Sequence, residues 1–198
     1  AVHLDESGAV QLAGELTDQP AVVESREAKP YRRRPSAPFI TSTYQQDAGR
    51  KLRMSSAQAM RVAQGLYERG YITYMRTDSA TLSDTAINAA RNQIRERYGP
   101  EFLPAEPRVY KTKAKNAQEA HEAIRPTSAA RTPDSVAPYL NPDQQKLYEL
   151  IWKRTVACQM TPAQFDTVAA DITVGEGTFR ATGQTLAFAG FLAVYQDD

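Results

Sequence analysis

The period of the hydrophobic residues changes twice along this chain, and that order limits the architectures open to it. Residues 1–33 read as strand and loop: AVVESREA is rich in β-branched residues, and KPYRRRPSAP brings three prolines that break any regular element. From Thr41 the spacing becomes helical. Thr41, Ser42 or Thr43 can cap YQQDAGRKL, a helix that Gly49 weakens. SSAQAMRVAQGLYERG predicts a stronger helix, capped by Ser55 or Ser56, with Ala59, Val62, Ala63 and Leu66 as its apolar stripe and Gly70 as its stop. YITYM predicts a short strand. SDTAINAARNQIRERYG predicts a helix running from Ser83 to Gly99. NPDQQKLYELIWKRTVACQM predicts another, with Asn141 as N-cap, Pro142 at the first position, and Leu147, Leu150, Ile151 and Val156 facing a core. The stretch between these two helices carries proline-bounded motifs and no clear period. After Thr161 the chain returns to strands: FDTVAADITV, a GEG turn, TFRATG and TLAFAGFLAVY.

Strands, then helices, then strands are most economically explained by a helical module inserted into a β-module that both ends of the chain complete. The expected fold class is therefore α+β, with a mainly helical, winged-helix-like domain over residues 34–160. Residues 1–33 would form the first part of the β-rich domain and residues 161–198 its return strands.

Composition excludes several functions. A single cysteine, Cys158, rules out an intrachain disulfide framework and a cysteine-rich zinc site. No apolar run approaches the roughly 18 residues of a membrane span, and AVHLDESGAV has neither the basic nor the apolar region of a signal peptide. These features point to a reducing, cytoplasmic compartment. The chain opens at Ala1 without a methionine and ends in AVYQDD, as a processed chain or an excised fragment would. The sequence has no Walker loop, no GxGxxG and no dense Asp/Glu cluster.

The formal net charge is only +1, yet its distribution is uneven. Between Arg26 and Arg76 there are eleven Lys and Arg residues against three acids, and from Arg108 to Arg125 five against two. After Thr161 the single Arg180 faces five acids. Such a footprint suits a polyanion, and it equally suits a solvated basic face.

The basic region contains GYITYMRTDS, residues 70–79. On a strand, Ile72, Tyr74 and Arg76 share one face and Tyr71, Thr73 and Met75 the other. A phenol is a weak nucleophile unless assisted, its ordinary pKa being about 10. Joined to phosphorus, however, it makes a diester that keeps the bond energy for reversal. A guanidinium two residues away can grip a phosphate bidentately and stabilise charge building on its oxygens. Asp78 can orient that arginine, and Thr77 or Ser79 can bind phosphate oxygens. The same residues also fit a half-buried strand with a surface Arg–Asp pair, so by themselves they make Tyr74 a candidate nucleophile and no more.

A second constellation is NAQEAHEAIRPT, residues 116–127. On a helical turn His121 and Arg125 would share a face and present two donors to a phosphate or a base edge, with Glu119 and Glu122 alongside. A capped turn held by internal ion pairs is the competing reading. A zinc-protease motif fails, because the second histidine it needs would stand at position 125, which is arginine. Tyr44, Tyr67, Tyr98, Tyr110, Tyr148, Trp152 and Cys158 read as packing residues.

Together, PFITSTYQQDAGRKL, AQGLYERGYITYMRTDS, AQEAHEAIRPT and LYELIWKRTVACQMTPA, in this order, resemble the bacterial type IA DNA topoisomerase I family over residues 23–191. One departure is visible: the family usually has leucine where this chain has Tyr44. The resemblance implies that Tyr74 attacks the DNA backbone and becomes joined to the 5′-phosphate of the cut strand, with Tyr71 as its packing neighbour. It implies that Arg76 positions the scissile phosphate, that His121 contacts DNA, and that Asp78, Arg125 and Thr77 support them.

The resemblance further implies that the β-rich part is an arch on which the helical domain lifts to open a gate. It implies single-stranded or negatively supercoiled DNA and the remaining domains of a parent enzyme as partners, with no membrane, and a place at the bacterial nucleoid. Mg2+ in the family is held by a TOPRIM domain, which no stretch of this sequence resembles, so no metal site is expected in this chain. The expected function is that of a fragment of an ATP-independent isomerase that relaxes negatively supercoiled DNA by cutting and resealing one strand, the isolated chain being inactive in relaxation. The alternative is a non-catalytic single-strand DNA-binding and hinge module. A tyrosine recombinase fits poorly, since its tyrosine normally lies late in the chain.

Overall fold

The computed structural model describes residues 3–110 and 122–196, which divide into two units. The first comprises residues 3–33 and 164–188. It opens with a helix, α1 (Glu6–Leu16), whose N-cap Asp5 accepts a 2.8 Å bond from the Gly8 amide. This helix was not expected from the sequence. Gly8 and Gly14 dilute its helical signal, and it buries no residue beyond the half-covered Gly8, Leu12 and Leu16. The spacing of those three and the Asp5 cap were the available clues.

Three strands follow, β1 (Ala21–Arg33), β2 (Ala163–Val174) and β3 (Gly177–Phe188), in the sheet order β1-β2-β3. Strand β1 continues through Pro30, which was expected to break it; as an edge strand it tolerates a residue without an amide proton. Strands β2 and β3 form an antiparallel hairpin across Gly175 and Glu176, with Val174 opposite Gly177 and Gly175 at φ 56°. Asp171 lies opposite Arg180 and accepts bonds of 2.7 and 2.8 Å from its guanidinium. Most side chains of β1 and β3 are exposed.

The second unit comprises residues 34–163 and 189–196 and is helical. Its centre is α6 (Pro142–Ala157), where the Gln144 amide donates to Asn141 Oδ1 at 2.9 Å and the Asn141 amide donates to Gln144 Oε1 at 3.3 Å. Leu147, Tyr148, Leu150, Ile151, Trp152 and Val156 of α6 are buried. Around it pack α2 (Thr41–Leu52), α3 (Ser56–Glu68), α4 (Asp84–Arg97) and the single turn α5 (Pro133–Val136). Ser55 caps α3 and Ser83 caps α4, as their sequences predict. On α2, no hydroxyl occupies the N-cap position; Ile40 does, and its amide donates to Thr43 Oγ1 at 3.1 Å. Tyr44, where the family usually has leucine, is buried and donates to the Ala59 carbonyl at 2.8 Å.

The return strands end at Phe188, short of the 161–198 expected for them. Gly190–Ala193 is a 3-10 turn, and Phe191 and Tyr195 are buried in the helical unit. Gly190 holds φ 50°, and a Cβ there would lie 2.4 Å from the Pro162 carbonyl oxygen. Only glycine fits that turn. The Arg154 guanidinium is buried between the rings of Phe39 and Tyr195, at 4.8 and 5.2 Å, and pairs with Asp47 at 3.3 Å. The same Asp47 carboxylate accepts bonds from Arg50 and from the Tyr195 hydroxyl. Among the described residues no helix is long and apolar enough to cross a membrane.

Candidate functional site

Gly70, at φ 71°, ends α3 and turns the chain into the segment that carries Tyr74. From there the chain runs beside residues 123–127. The Thr73 amide donates to the Arg125 carbonyl and the Thr127 amide to the Tyr71 carbonyl, both at 2.9 Å. The expected strand is only a bridge, Ile72 opposite Pro126. Pro126 has no amide proton to extend a ladder, and a side chain takes over: the Arg125 amide donates to Thr73 Oγ1 at 2.9 Å, and that hydroxyl donates to the Ala123 carbonyl at 2.7 Å.

Beyond Thr73 the side chains alternate. Met75, Thr77 and Ser79 are buried, whereas Tyr74, Arg76 and Asp78 face outward. Ile72 departs from the expected face and is buried. Tyr74 is 43% exposed, and its ring meets that of Tyr67, at the end of α3, edge-on at 5.2 Å. Tyr67 rather than Tyr71 is thus its packing neighbour. The Tyr71 ring instead faces Tyr148 at 6.1 Å and lies 5.1 Å from the Arg69 guanidinium.

Arg76 makes no ion pair with any described residue, Asp78 included, and so the expected orienting contact from Asp78 is not formed. Both line a groove of about 470 Å³ against the first turn of α2, together with Ile40, Thr41, Ser42, Gln45 and Thr77. Thr77 is only 8% exposed and its Oγ1 accepts from the Ser79 amide at 3.1 Å, so its hydroxyl faces the fold.

Arg125 is also turned inward. It lies in an extended segment, not on a helical turn, and donates to Glu122 at 2.5 and 3.1 Å and to the Pro126 carbonyl at 2.9 Å. Glu122 accepts in addition from the Ser83 amide at 2.8 Å. Burial alone would raise the Glu122 carboxyl, but the bonds from Arg125 and Ser83 outweigh it and hold the group below the usual carboxylate value. The internal ion pair is the arrangement that the sequence left open as the bland alternative. His121 and Glu119 lie outside the described residues.

Sequence reasoning missed two contributors. Tyr67 read as packing alone, and Thr41 read as a cap; the structure bonds Thr41 to the main chain around Arg76 instead. Among the described residues no three His, Cys, Asp or Glu side chains are grouped to hold a metal ion. The described residues thus offer no carboxylate cluster to hold Mg2+.

Residues 2–198 match the family described as DNA topoisomerase. The chain is 55% identical to DNA topoisomerase 1 of Mycobacterium tuberculosis, covering 98% of this chain and 22% of that protein. It is 54% identical to DNA topoisomerase 1 of Streptomyces coelicolor, covering 98% and 21%. Among solved structures it is similar to full-length topoisomerase I from Thermotoga maritima, with a TM-score of 0.82 and 38% identity over 98% of this chain and 32% of that one. The chain thus spans about a fifth of the length of the curated relatives it matches.

Proposed function

Because the chain belongs to the DNA topoisomerase family, we propose that its helical unit is the nucleophile-bearing domain of a type IA enzyme and that its three-stranded sheet is part of the arch on which that domain lifts. The parent reaction is relaxation of negatively supercoiled DNA in the bacterial cytoplasm, by cutting one strand, passing another through the gap and resealing. One observation carries this reading: Tyr74, within the motif YMRTDS, stands 43% exposed on the same outward face as Arg76, which has no ion pair among the described residues.

The chemistry follows from those two groups. Tyr74 Oη attacks a backbone phosphorus; the P–Oη bond forms while the bond to the 3′-oxygen breaks. The phenol proton leaves, and the 3′-oxygen takes up a proton to become a hydroxyl. The 5′-phosphate stays on the tyrosine, and attack by the 3′-hydroxyl reverses the step without ATP. Arg76 holds the non-bridging oxygens and stabilises their charge as the phosphorus becomes five-coordinate. Asp78 lies beside it on the groove. Thr77 and Arg125 support the site by holding the surrounding fold, Thr77 by the bond it accepts from the Ser79 amide and Arg125 by its side-chain clasp on Glu122. His121 is assigned a DNA contact on its motif position alone. The Mg2+ and the TOPRIM domain that the reaction uses would come from the rest of the parent enzyme, and the chain alone is expected not to relax DNA.

The test is covalent trapping. Labelled single-stranded DNA is incubated with this chain alone, then with a separately prepared polypeptide carrying a TOPRIM domain and Mg2+, and quenched with detergent. An adduct formed only in the mixture and lost in Tyr74→Phe is expected. Salt-sensitive binding without an adduct in either case would leave a DNA-binding hinge module in place of half an active site.

A further inference from the structure

Thr41 bonds the main chain on both sides of Arg76. Its Oγ1 lies 2.8 Å from the Met75 carbonyl and 3.0 Å from the Thr77 carbonyl, and it accepts from the Thr77 amide at 2.8 Å. The Thr41 amide donates to the Thr77 carbonyl at 2.9 Å. A hydroxyl has one proton to give. Since the Thr77 carbonyl already receives the Thr41 amide, the shorter contact to Met75 is the natural place for that proton. A single side chain thereby closes the residue before Arg76 and the residue after it onto the first turn of α2.

Capping does not account for this arrangement. Thr43 supplies the hydroxyl that receives the Ile40 amide at the N-terminus of α2. The Thr41 hydroxyl is left to the Arg76 segment. The Arg76 side chain, for its part, has no ion pair with a described residue to hold it, so its backbone is what fixes its origin. Catalytic guanidinium groups work when they are held in place before charge develops, and a shift of about 1 Å can cost about a hundredfold in rate.

From this geometry we infer that Thr41 is a positioning residue for strand cleavage: it holds the Met75–Thr77 backbone against α2 and so sets where the Arg76 guanidinium meets the scissile phosphate. The inference rests on the reading of Tyr74 and Arg76 proposed above.

Its test uses the chain mixed with the TOPRIM-bearing polypeptide, Mg2+ and saturating labelled single-stranded DNA. The rate of adduct formation, the DNA Kd and the melting temperature are measured for the unsubstituted chain and for Thr41→Val, Thr41→Ser, Thr43→Val and Tyr74→Phe. Thr41→Val, equal in shape but without the hydroxyl, is expected to slow cleavage about tenfold or more with Kd changed by no more than about twofold. Thr41→Ser restores the hydroxyl and is expected to return the rate to within about threefold of the unsubstituted chain. Thr43→Val removes the cap bond, lowers the melting temperature and leaves the rate within about twofold. If Thr41→Val is mostly unfolded by circular dichroism at the assay temperature, Thr41→Cys takes its place, with an expected slowing of about threefold through its weaker bonds.

A valine variant (or its cysteine replacement) as fast as the unsubstituted chain, or a serine variant as slow as the valine one, overturns the inference and leaves Tyr74 untouched. No adduct from the unsubstituted chain, or an adduct that survives Tyr74→Phe, sinks the reading of Tyr74 and this inference with it.

Discussion

The ring of Tyr67 meets the ring of Tyr74 edge-on, with centroids 5.2 Å apart and planes at 62°. Both side chains are exposed, Tyr67 at 41% and Tyr74 at 43%, and no other ring contact restrains Tyr74 among the described residues. Tyr67 sits on the last turn of α3, so a helix end sets one boundary of the space in which the phenol moves. Edge-to-face pairs of this kind contribute about 0.5–1.5 kcal/mol beyond the area they cover. Tyr67→Ala is therefore expected to slow adduct formation by about three- to tenfold while lowering folding stability by about 0.5–1.5 kcal/mol. Tyr67→Phe, which keeps the ring, should match the unsubstituted chain in the trapping assay. A phenylalanine variant as slow as the alanine one would assign the effect to the Tyr67 hydroxyl instead.

Arg34, Arg53, Arg61 and Arg76 are exposed and form no ion pair with described residues. Binding of single-stranded DNA through such groups releases counterions. Raising salt from about 50 to about 200 mM should then weaken binding about tenfold or more, measured by fluorescence anisotropy. Arg76→Ala should make the slope of log affinity against log salt shallower by about 0.7, the value for one phosphate contact on a single strand. An affinity indifferent to salt would exclude these arginines as the DNA contacts.

Arg154 is buried against Asp47, donates to the Ala37 carbonyl at 2.6 Å, and is covered by Phe39 and Tyr195. Arg154→Met leaves Asp47 with Arg50 and Tyr195 but strips it of its buried countercharge. The expected loss of stability in urea is about 3 kcal/mol. Asp47→Asn combined with Arg154→Met should cost less than the sum of the two single changes, because the double variant leaves no uncompensated charge.

Gly190→Ala places a Cβ 2.4 Å from the Pro162 carbonyl oxygen at a residue whose φ is 50°. The turn has to shift, at a cost of about 1–3 kcal/mol. Because the turn carries Phe191 into the helical unit, the loss should appear in urea unfolding followed by tryptophan fluorescence, Trp152 lying in that unit's core.

Burial pushes the Cys158 thiol up to about 12 from an ordinary value of 9.0. An acid whose folded value is raised stabilises the fold below its unfolded value and loses that stabilisation as pH climbs through the folded one. The contribution of Cys158 is thus complete below pH 9.0 and lost progressively toward about 12. Cys158→Ala should flatten the fall in stability over that window, and the phenols of Tyr44, Tyr98, Tyr110, Tyr148 and Tyr195, all raised by burial, contribute to what remains. Iodoacetamide at pH 8 should label the thiol only in denaturant.

How much of this was legible in the sequence depended on the range of the forces involved. The caps Ser55, Ser83 and Asn141 bond amides three residues away, so their helices could be placed from local spacing. From β1 onward the strand–helix–strand order likewise follows from local periods, whereas α1, diluted by Gly8 and Gly14, does not. The burial of Phe191 and Tyr195 does not: their apolar run, TLAFAGFLAVY, alternates well enough for a strand, and only the tertiary contact with Thr161 and Asp47 turns it aside. At the site, the outward face of Tyr74, Arg76 and Asp78 follows from alternation. The inward turn of Arg125 depends on Glu122 and Ser83, 39 residues apart in sequence, and the bond between Thr41 and Thr77 spans 36. Tyr67 carried a clue that periodicity could not weigh, an exposed aromatic residue at a helix end just before the motif.

The sheet order β1-β2-β3 also sets a schedule for synthesis. Strand β1 leaves the ribosome with its neighbour β2 still about 130 residues away, and closing a loop of that length carries an entropic cost that grows with its logarithm. At about 5–20 residues per second, β1 waits many seconds with an open edge while the helices, whose contacts are closer in sequence, assemble first. The charges along that edge, Glu24, Arg26, Glu27, Lys29 and Arg32, together with Pro30, are what such a strand requires to remain unpaired until its partner arrives.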